Sequence, residues 1–182
     1  MLGVLIVACA GPLVEDCAHG DLDPRYCDGN GDLVADPPRD SLRWLDPERL
    51  IFAYTPVEDP AQFRGVWAGF LAHLEEAVSR EVLFFPVQSN AAQIEAMRAG
   101  RLHIAGFNTG SVPLAVNCAG FVPTTMMARE DGSFGYEMEI LTHRESGIES
   151  VQDLAGRTLA FTSPTSNSGF KAPSVLLEAE FG

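Results

Sequence analysis

Ser166, Asn167 and Ser168 stand in a row within RTLAFTSPTSNSGFKAPSVLL, the stretch that spans residues 157–177. Two hydroxyls and an amide on three consecutive short side chains can hydrogen-bond an anion without crowding it. Thr158–Phe161 ahead of them is a short apolar run that predicts a buried parallel strand. Phe170, Val175, Leu176 and Leu177 behind them predict the apolar contacts of a helix. A small polar loop between the carboxyl end of a strand and the amino end of a helix is where open α/β folds bind ligands. The first helical N–H groups have no intrahelical acceptor, and the macrodipole places about half a positive charge there. The same side chains also suit the plainer role of helix capping. Residue type alone leaves capping and anion binding level.

A second cluster, Asp28, Asn30, Asp32 and Asp36, sets oxygen ligands at alternate positions with glycines between them. Such a loop suits calcium, which takes several hard oxygen donors at once. It departs from the EF-hand at Leu33, where that loop wants glycine, and a solvated acidic turn is the competing reading. Cys17 and Cys27 bracket the approach to this loop. In an exported protein a disulfide between them would staple an arm that has little core of its own. Cys118, alone on an apolar helix face, is expected to be a buried structural thiol.

Enzyme signatures are missing. No glycine-rich dinucleotide motif follows a strand, and no P-loop lysine occurs. His19, His73, His103 and His143 have no metal-ligand spacing. A triad drawn from Ser166, His143 and Asp153 lacks the nucleophile-elbow pattern. No catalytic residue is therefore assigned. Tyr136 and the Met126-Met127 pair read as core or hinge packing.

The formal charge of −13 argues against a nucleic-acid partner, because no basic patch exists to neutralise phosphates. An acidic protein can still bind an anion through oriented backbone dipoles. No apolar run is long enough to span a bilayer.

The elements that would position these residues alternate regularly. Residues 15–46 carry nine Asp/Glu against three Arg with several prolines, and predict a loop-rich arm that packs poorly on the rest. Strands are expected at Leu50–Tyr54, Glu81–Val87 and Leu102–Phe107. Helices are expected at Pro60–Ser79, from Ser89 or Asn90 to Met97 with Gln93 at capping-box distance, and from Asn108 to Gly120. Further strands are expected at Phe121–Ala128 and Tyr136–Thr142, with a short helix at Glu149–Ala155. This β-α-β-α order predicts a parallel sheet with helices on both faces.

Several motifs in order resemble the phosphonate/phosphite/phosphate-binding proteins of ABC importers. Pro164-Thr165-Ser166-Asn167-Ser168-Gly169-Phe170 is close to that family's ligand loop. The likeness extends to Asp131–Tyr136, Ile148–Gly156 and Met97–Ala105, and covers residues 50 to 182. The resemblance implies an α/β, bilobal periplasmic-binding-protein type II fold whose second lobe is incomplete here. It divides the chain into a signal and acidic extension (1–47), lobe I (48–130), and the crossover and start of lobe II (131–182).

Function, too, follows from the resemblance as an expectation: extracytoplasmic capture of a phosphorus oxyanion and delivery to an ABC permease. A ligand-sensing module of the same fold is the alternative. Ser166, Asn167 and Ser168 would hold the oxyanion, with Asn167 where the family often has Thr. The facing lobe would add Tyr54, Thr55, Asn90, Phe107, Asn108 and Thr109. Tyrosines are frequent at the positions of Asn90 and Phe107 in alkylphosphonate-binding members, so their absence speaks against an aminoalkylphosphonate preference and leaves phosphate or phosphite open. No cofactor is implied beyond the structural calcium raised above. Met1–Ala8 followed by Cys9 resembles a bacterial lipobox, which implies acylation of Cys9 and a membrane tether in the periplasm or at the cell surface, although no Lys or Arg precedes the short apolar run.

Overall fold

The computed structural model describes residues 16–56 and 60–182, and of residues 60–64 the backbone only. The proposed acylation site, Cys9, and the apolar run before it lie outside the described residues. The chain divides into two compact units. One comprises the described residues up to Phe107 together with Ser111–Pro123; the other comprises Asn108–Gly110 with Thr124–Gly182.

The first unit is built on three parallel strands in the order β2-β1-β3. Strand β1, Arg49–Tyr54, lies in the centre and is read from sequence by its continuous apolar run, as a strand covered on both faces requires. It pairs with β2, Glu81–Phe84, from Arg49↔Glu81 to Phe52↔Phe84. On its other side it pairs with β3, Ile104–Gly106, from Phe52↔Ile104 to Tyr54↔Gly106. The β2 ladder stops at Phe84, short of the expected Val87; Pro86 has no N–H with which to continue it.

Helix α1, Pro60–Val78, connects β1 to β2. Its Trp67 and Phe70 stand 5.2 and 5.3 Å from the ring of Phe52, in the tilted geometry aromatic quadrupoles favour. Helix α2, Asn90–Arg98, starts where Ser89 Oγ accepts from the Ala92 N–H at 3.1 Å. It ends on Gly100 at φ +68, the left-handed stop that glycine adopts without a Cβ penalty. Helix α3, Val112–Ala119, carries Pro113 in its first turn. Two buried clusters hold α2 in place: Ala53, Val87, Ala96 and Leu102 join it to the sheet, and Ile94, Ala115 and Ala119 join it to α3.

The acidic arm departs from expectation, for it packs closely. Leu22 is buried, and the Asp23 side chain is fully enclosed between Arg25 and Arg98. The Asp23 N–H donates to the Asn117 carbonyl of α3 at 2.6 Å, and Arg25 donates to the Cys118 carbonyl. The Tyr26 ring fills the space that a Cβ on Gly120 would occupy. Cys17 and Cys27 form a disulfide with Cα atoms 5.7 Å apart. The arm is thus held by a buried charge and a covalent staple, which hydropathy does not register. Cys118 is itself disulfide-bonded, not the free thiol its apolar helix face suggests.

The second unit also departs from expectation. Phe121–Ala128, which crosses into it, Tyr136–Thr142 and Thr158–Phe161 form no ladder among the described residues. A strand exists only with a neighbour to share its hydrogen bonds, and none of these segments pairs with another. The alternation that suggested a strand at 136–142 survives as burial: Met138 and Ile140 are half-buried while Glu137, Glu139 and Leu141 are exposed. Met126, Met127 and Tyr136 are exposed too and pack in no core. The helix expected near Glu149–Ala155 is a 3-10 turn at Val151–Leu154. The last helix, α4, is Ala172–Phe181.

Candidate functional site

The Ser166–Ser168 loop is built from short-range bonds within the second unit. The Thr162 N–H donates to the Gly169 carbonyl at 3.0 Å, and the Ser166 N–H donates to Ser163 O at 2.8 Å, so the chain doubles back on itself. Ser163 Oγ and Thr165 Oγ1 stand 2.9 Å apart. Ser166 is extended, and its Oγ accepts from the Gly169 N–H at 3.0 Å. From Asn167 to Lys171 the backbone forms a π-helical turn, closed by the Lys171 N–H donating to Ser166 O at 3.1 Å. Isolated π turns are frequent at functional sites. Pro173 then sits in the first turn of α4, where a missing N–H costs little.

Two glycines let the loop close this tightly. A Cβ on Gly169 would overlap Thr162 Oγ1, and one on Gly110 would overlap the Thr165 carbonyl oxygen and lie 2.8 Å from the Asn167 nitrogen. Lys171 Nζ donates to the Gly110 carbonyl at 2.6 Å, so its ammonium ties the loop to residues 108–110. Phe161 and Phe170 close the base edge-to-face, ring centres 5.2 Å apart.

Capping and anion binding are compatible here. Ser166 is a cap, yet it caps as an acceptor and keeps its hydroxyl proton to donate. Asn167 and Ser168 open the helical turn, so their N–H groups have no intrahelical acceptor. Tyr136, which sequence reading gave to packing, brings its hydroxyl to 3.0 Å from Ser168 Oγ. No periodicity signal marks that pairing, because 32 residues separate the two.

The other site candidates fall in two places. In the first unit, Thr55 Oγ1 donates to Asn90 Oδ1 at 3.0 Å, which joins the ends of β1 and α2. The Tyr54 ring packs at a tilt against Trp67, centroids 4.7 Å apart, and fills the space beside Gly106. Phe107 packs edge-to-face on Phe121, centroids 5.0 Å apart, against the second core cluster. Asn108 and Thr109 belong with Gly110 to the second unit.

Sequence reasoning missed Gln93. Instead of completing a capping box it is fully buried, and its Nε2 donates to the carbonyls of Ala53 and Gly106 at 3.3 and 3.1 Å. It thereby fixes the ends of β1 and β3. A glutamine on the inner face of an amphipathic helix was the available signal.

In the acidic loop, Asp28 is buried and its two oxygens accept from the N–H groups of Asp32 and Leu33 at 3.1 Å each. Asp36 accepts from the Gly29 N–H at 2.8 Å, Asn30 donates to Asp32 at 2.9 Å, and Leu33 takes φ +68. Among the described residues no group of three or more acidic, His or Cys side chains is arranged to hold a metal ion.

Comparison with known proteins decides the family. Residues 52–182 match the family described as the periplasmic substrate-binding protein of phosphonate ABC transporters. The chain belongs to that family. It is 28% identical over 149 residues to the phosphate-import protein PhnD of Mycolicibacterium smegmatis, covering 80% of this chain and 46% of that protein. It is 27% identical over 135 residues to the phosphonates-binding periplasmic protein of Escherichia coli K12, covering 72% of this chain and 40% of the relative. The chain thus spans less than half the length of both relatives. Its fold matches a crystal structure of a binding-protein component of a Pseudomonas aeruginosa ABC phosphonate transporter, with a TM-score of 0.62 at 21% identity. That match covers 74% of this chain and 46% of the other. The relatives are transport binding proteins. Among the described residues no helix is long and apolar enough to cross a membrane.

Proposed function

We propose that the protein is an extracytoplasmic solute-binding protein that captures a phosphorus oxyanion and delivers it to an ABC permease. The observation that carries this reading is the Ser166–Ser168 loop. It offers hydroxyl protons on Ser166 and Ser168 and the leading N–H groups of a helical turn within one short segment. Donors of this kind bind an anion without bringing a counter-charge, which suits a chain of net charge −13. The relatives' roles in phosphate import and phosphonate binding favour phosphorus over other oxyanions. The disulfide in the arm fits an oxidising compartment, the periplasm or cell surface.

The two compact units serve in this reading as lobe I and the start of lobe II. Tyr54, Thr55, Asn90, Phe107, Asn108 and Thr109 remain assigned to ligand contact on the family pattern. A phenylalanine at 107 and an asparagine at 90, both without a phenol, favour phosphate or phosphite over an aminoalkylphosphonate. Calorimetric titration of the full-length protein with phosphate, phosphite, methylphosphonate and aminoethylphosphonate tests the reading. Saturable binding of at least one supports it. No binding of any of the four rejects it.

A further inference from the structure

The pair formed by Tyr136 and Ser168 is unused by the function just stated. Tyr136 is exposed, so its ring fills no core, and its polar end meets the middle of the oxyanion loop at 3.0 Å. Gly135 at φ +99 turns the chain immediately before it, a conformation open to glycine and strained for most other residues.

We propose that Tyr136 is a positioning and specificity residue of the loop. Its hydroxyl donates to Ser168 Oγ, and so commits the Ser168 proton to the ligand. The inference rests on the oxyanion reading of Ser166–Ser168. A hydroxyl has one proton to give and two lone pairs to receive. Of two hydroxyls 3.0 Å apart, only one donates along the line between them. A phenol is more acidic than an aliphatic alcohol and is the stronger donor, so the bond runs from Tyr136 to Ser168. An anion beyond Ser168 favours the same direction, because each O–H then points its positive end at the charge and polarises the next. Ser168 held in this way has one of its two lone pairs taken by Tyr136 and its proton turned to the ligand, so it meets the anion as a donor. The loop therefore takes a deprotonated P–O oxygen at this position and disfavours P–OH. Selection among protonation states of the same anion follows from a tyrosine that touches the ligand only through Ser168.

The test is calorimetric titration of full-length protein with inorganic phosphate, in wild type, Tyr136→Phe, Ser168→Ala and the double variant, at about pH 5.5 and about pH 8, either side of the second phosphate ionisation. Tyr136→Phe should weaken binding about three- to tenfold at the higher pH, the worth of one neutral hydrogen bond. It should also flatten the gain in affinity from the lower to the higher pH, since a freed Ser168 hydroxyl can rotate and accept from P–OH. In the Ser168→Ala background the same change should have no further effect. Wild-type affinity and an unchanged pH dependence in Tyr136→Phe would overturn the inference, as would an equal loss with and without Ser168. Binding that needs Ser168 but not Tyr136 leaves the oxyanion reading standing and removes only this inference. Failure of wild type to bind any phosphorus oxyanion removes both.

Discussion

The carboxylate of Asp23 lies 3.5 Å from the guanidinium of Arg98, with the acid fully enclosed and the base about three-quarters covered. Arg25 holds the other side at 2.9 Å. Burial pushes this carboxyl up, but the hydrogen bonds and charge of Arg25, backed by the charge of Arg98, outweigh it and leave the acid below its ordinary value.

Asp23→Asn should therefore destabilise the protein by about 2–3 kcal/mol, because two partly buried guanidinium groups lose their counter-charge. In a chain of this size that is about 4–12 °C in Tm, read by thermal denaturation. The folded acid holds its proton less tightly than the unfolded one, so unfolding takes up a proton at low pH. The stabilisation is complete above the ordinary Asp value of 3.8 and is lost as pH falls through the lower folded value. Wild type should show that acid-side loss, and Asp23→Asn should show less of it.

Removing the arm's staple is a separate test. The bridge from Cys17 to Cys27 closes a loop of sequence separation 10. Replacing both by serine should cost about 2–3 kcal/mol through the freed unfolded chain. Native-state hydrogen exchange should then rise first in residues 17–36, ahead of β1 and α2.

The first unit was legible because its signals are local. The apolar run of Leu50–Tyr54, the aromatic face of Pro60–Val78 and the glycine stop at Gly100 each state their element in a few residues. The arm was not, because a carboxylate such as Asp23 reads as solvated until arginines 2 and 75 residues away enclose it. The expected strands of the second unit rested on side-chain patterns, an apolar run at Thr158–Phe161 and alternation at Tyr136–Thr142, which say nothing of whether a neighbour exists to pair with. At the loop, residue type pointed to Ser166–Ser168. The contacts of Tyr136, Gly110 and Lys171 with it are matters of folding that no spacing rule encodes.

Gly110 offers a probe of the loop that leaves every donor in place. Alanine there would drive its Cβ into the Thr165 carbonyl, a backbone atom that cannot step aside as a side chain can. Overpacking of this kind costs about 1–3 kcal/mol. Gly110→Ala should lower oxyanion affinity by up to that amount, about 5- to 150-fold, with faster amide exchange at Asn167–Lys171 and little change in the exchange of β1 and α2.

The central claim is that short donors and helix-terminal N–H groups, not a lysine charge, hold the anion. Titration of phosphate into full-length wild type, Ser168→Ala and Lys171→Met tests it most directly. A charge-assisted hydrogen bond is worth about 1.5–3 kcal/mol, so Ser168→Ala should weaken binding about 10- to 150-fold. Lys171→Met should cost much less, since that ammonium is engaged by the Gly110 carbonyl. Unchanged affinity in Ser168→Ala together with loss of binding in Lys171→Met would contradict the account.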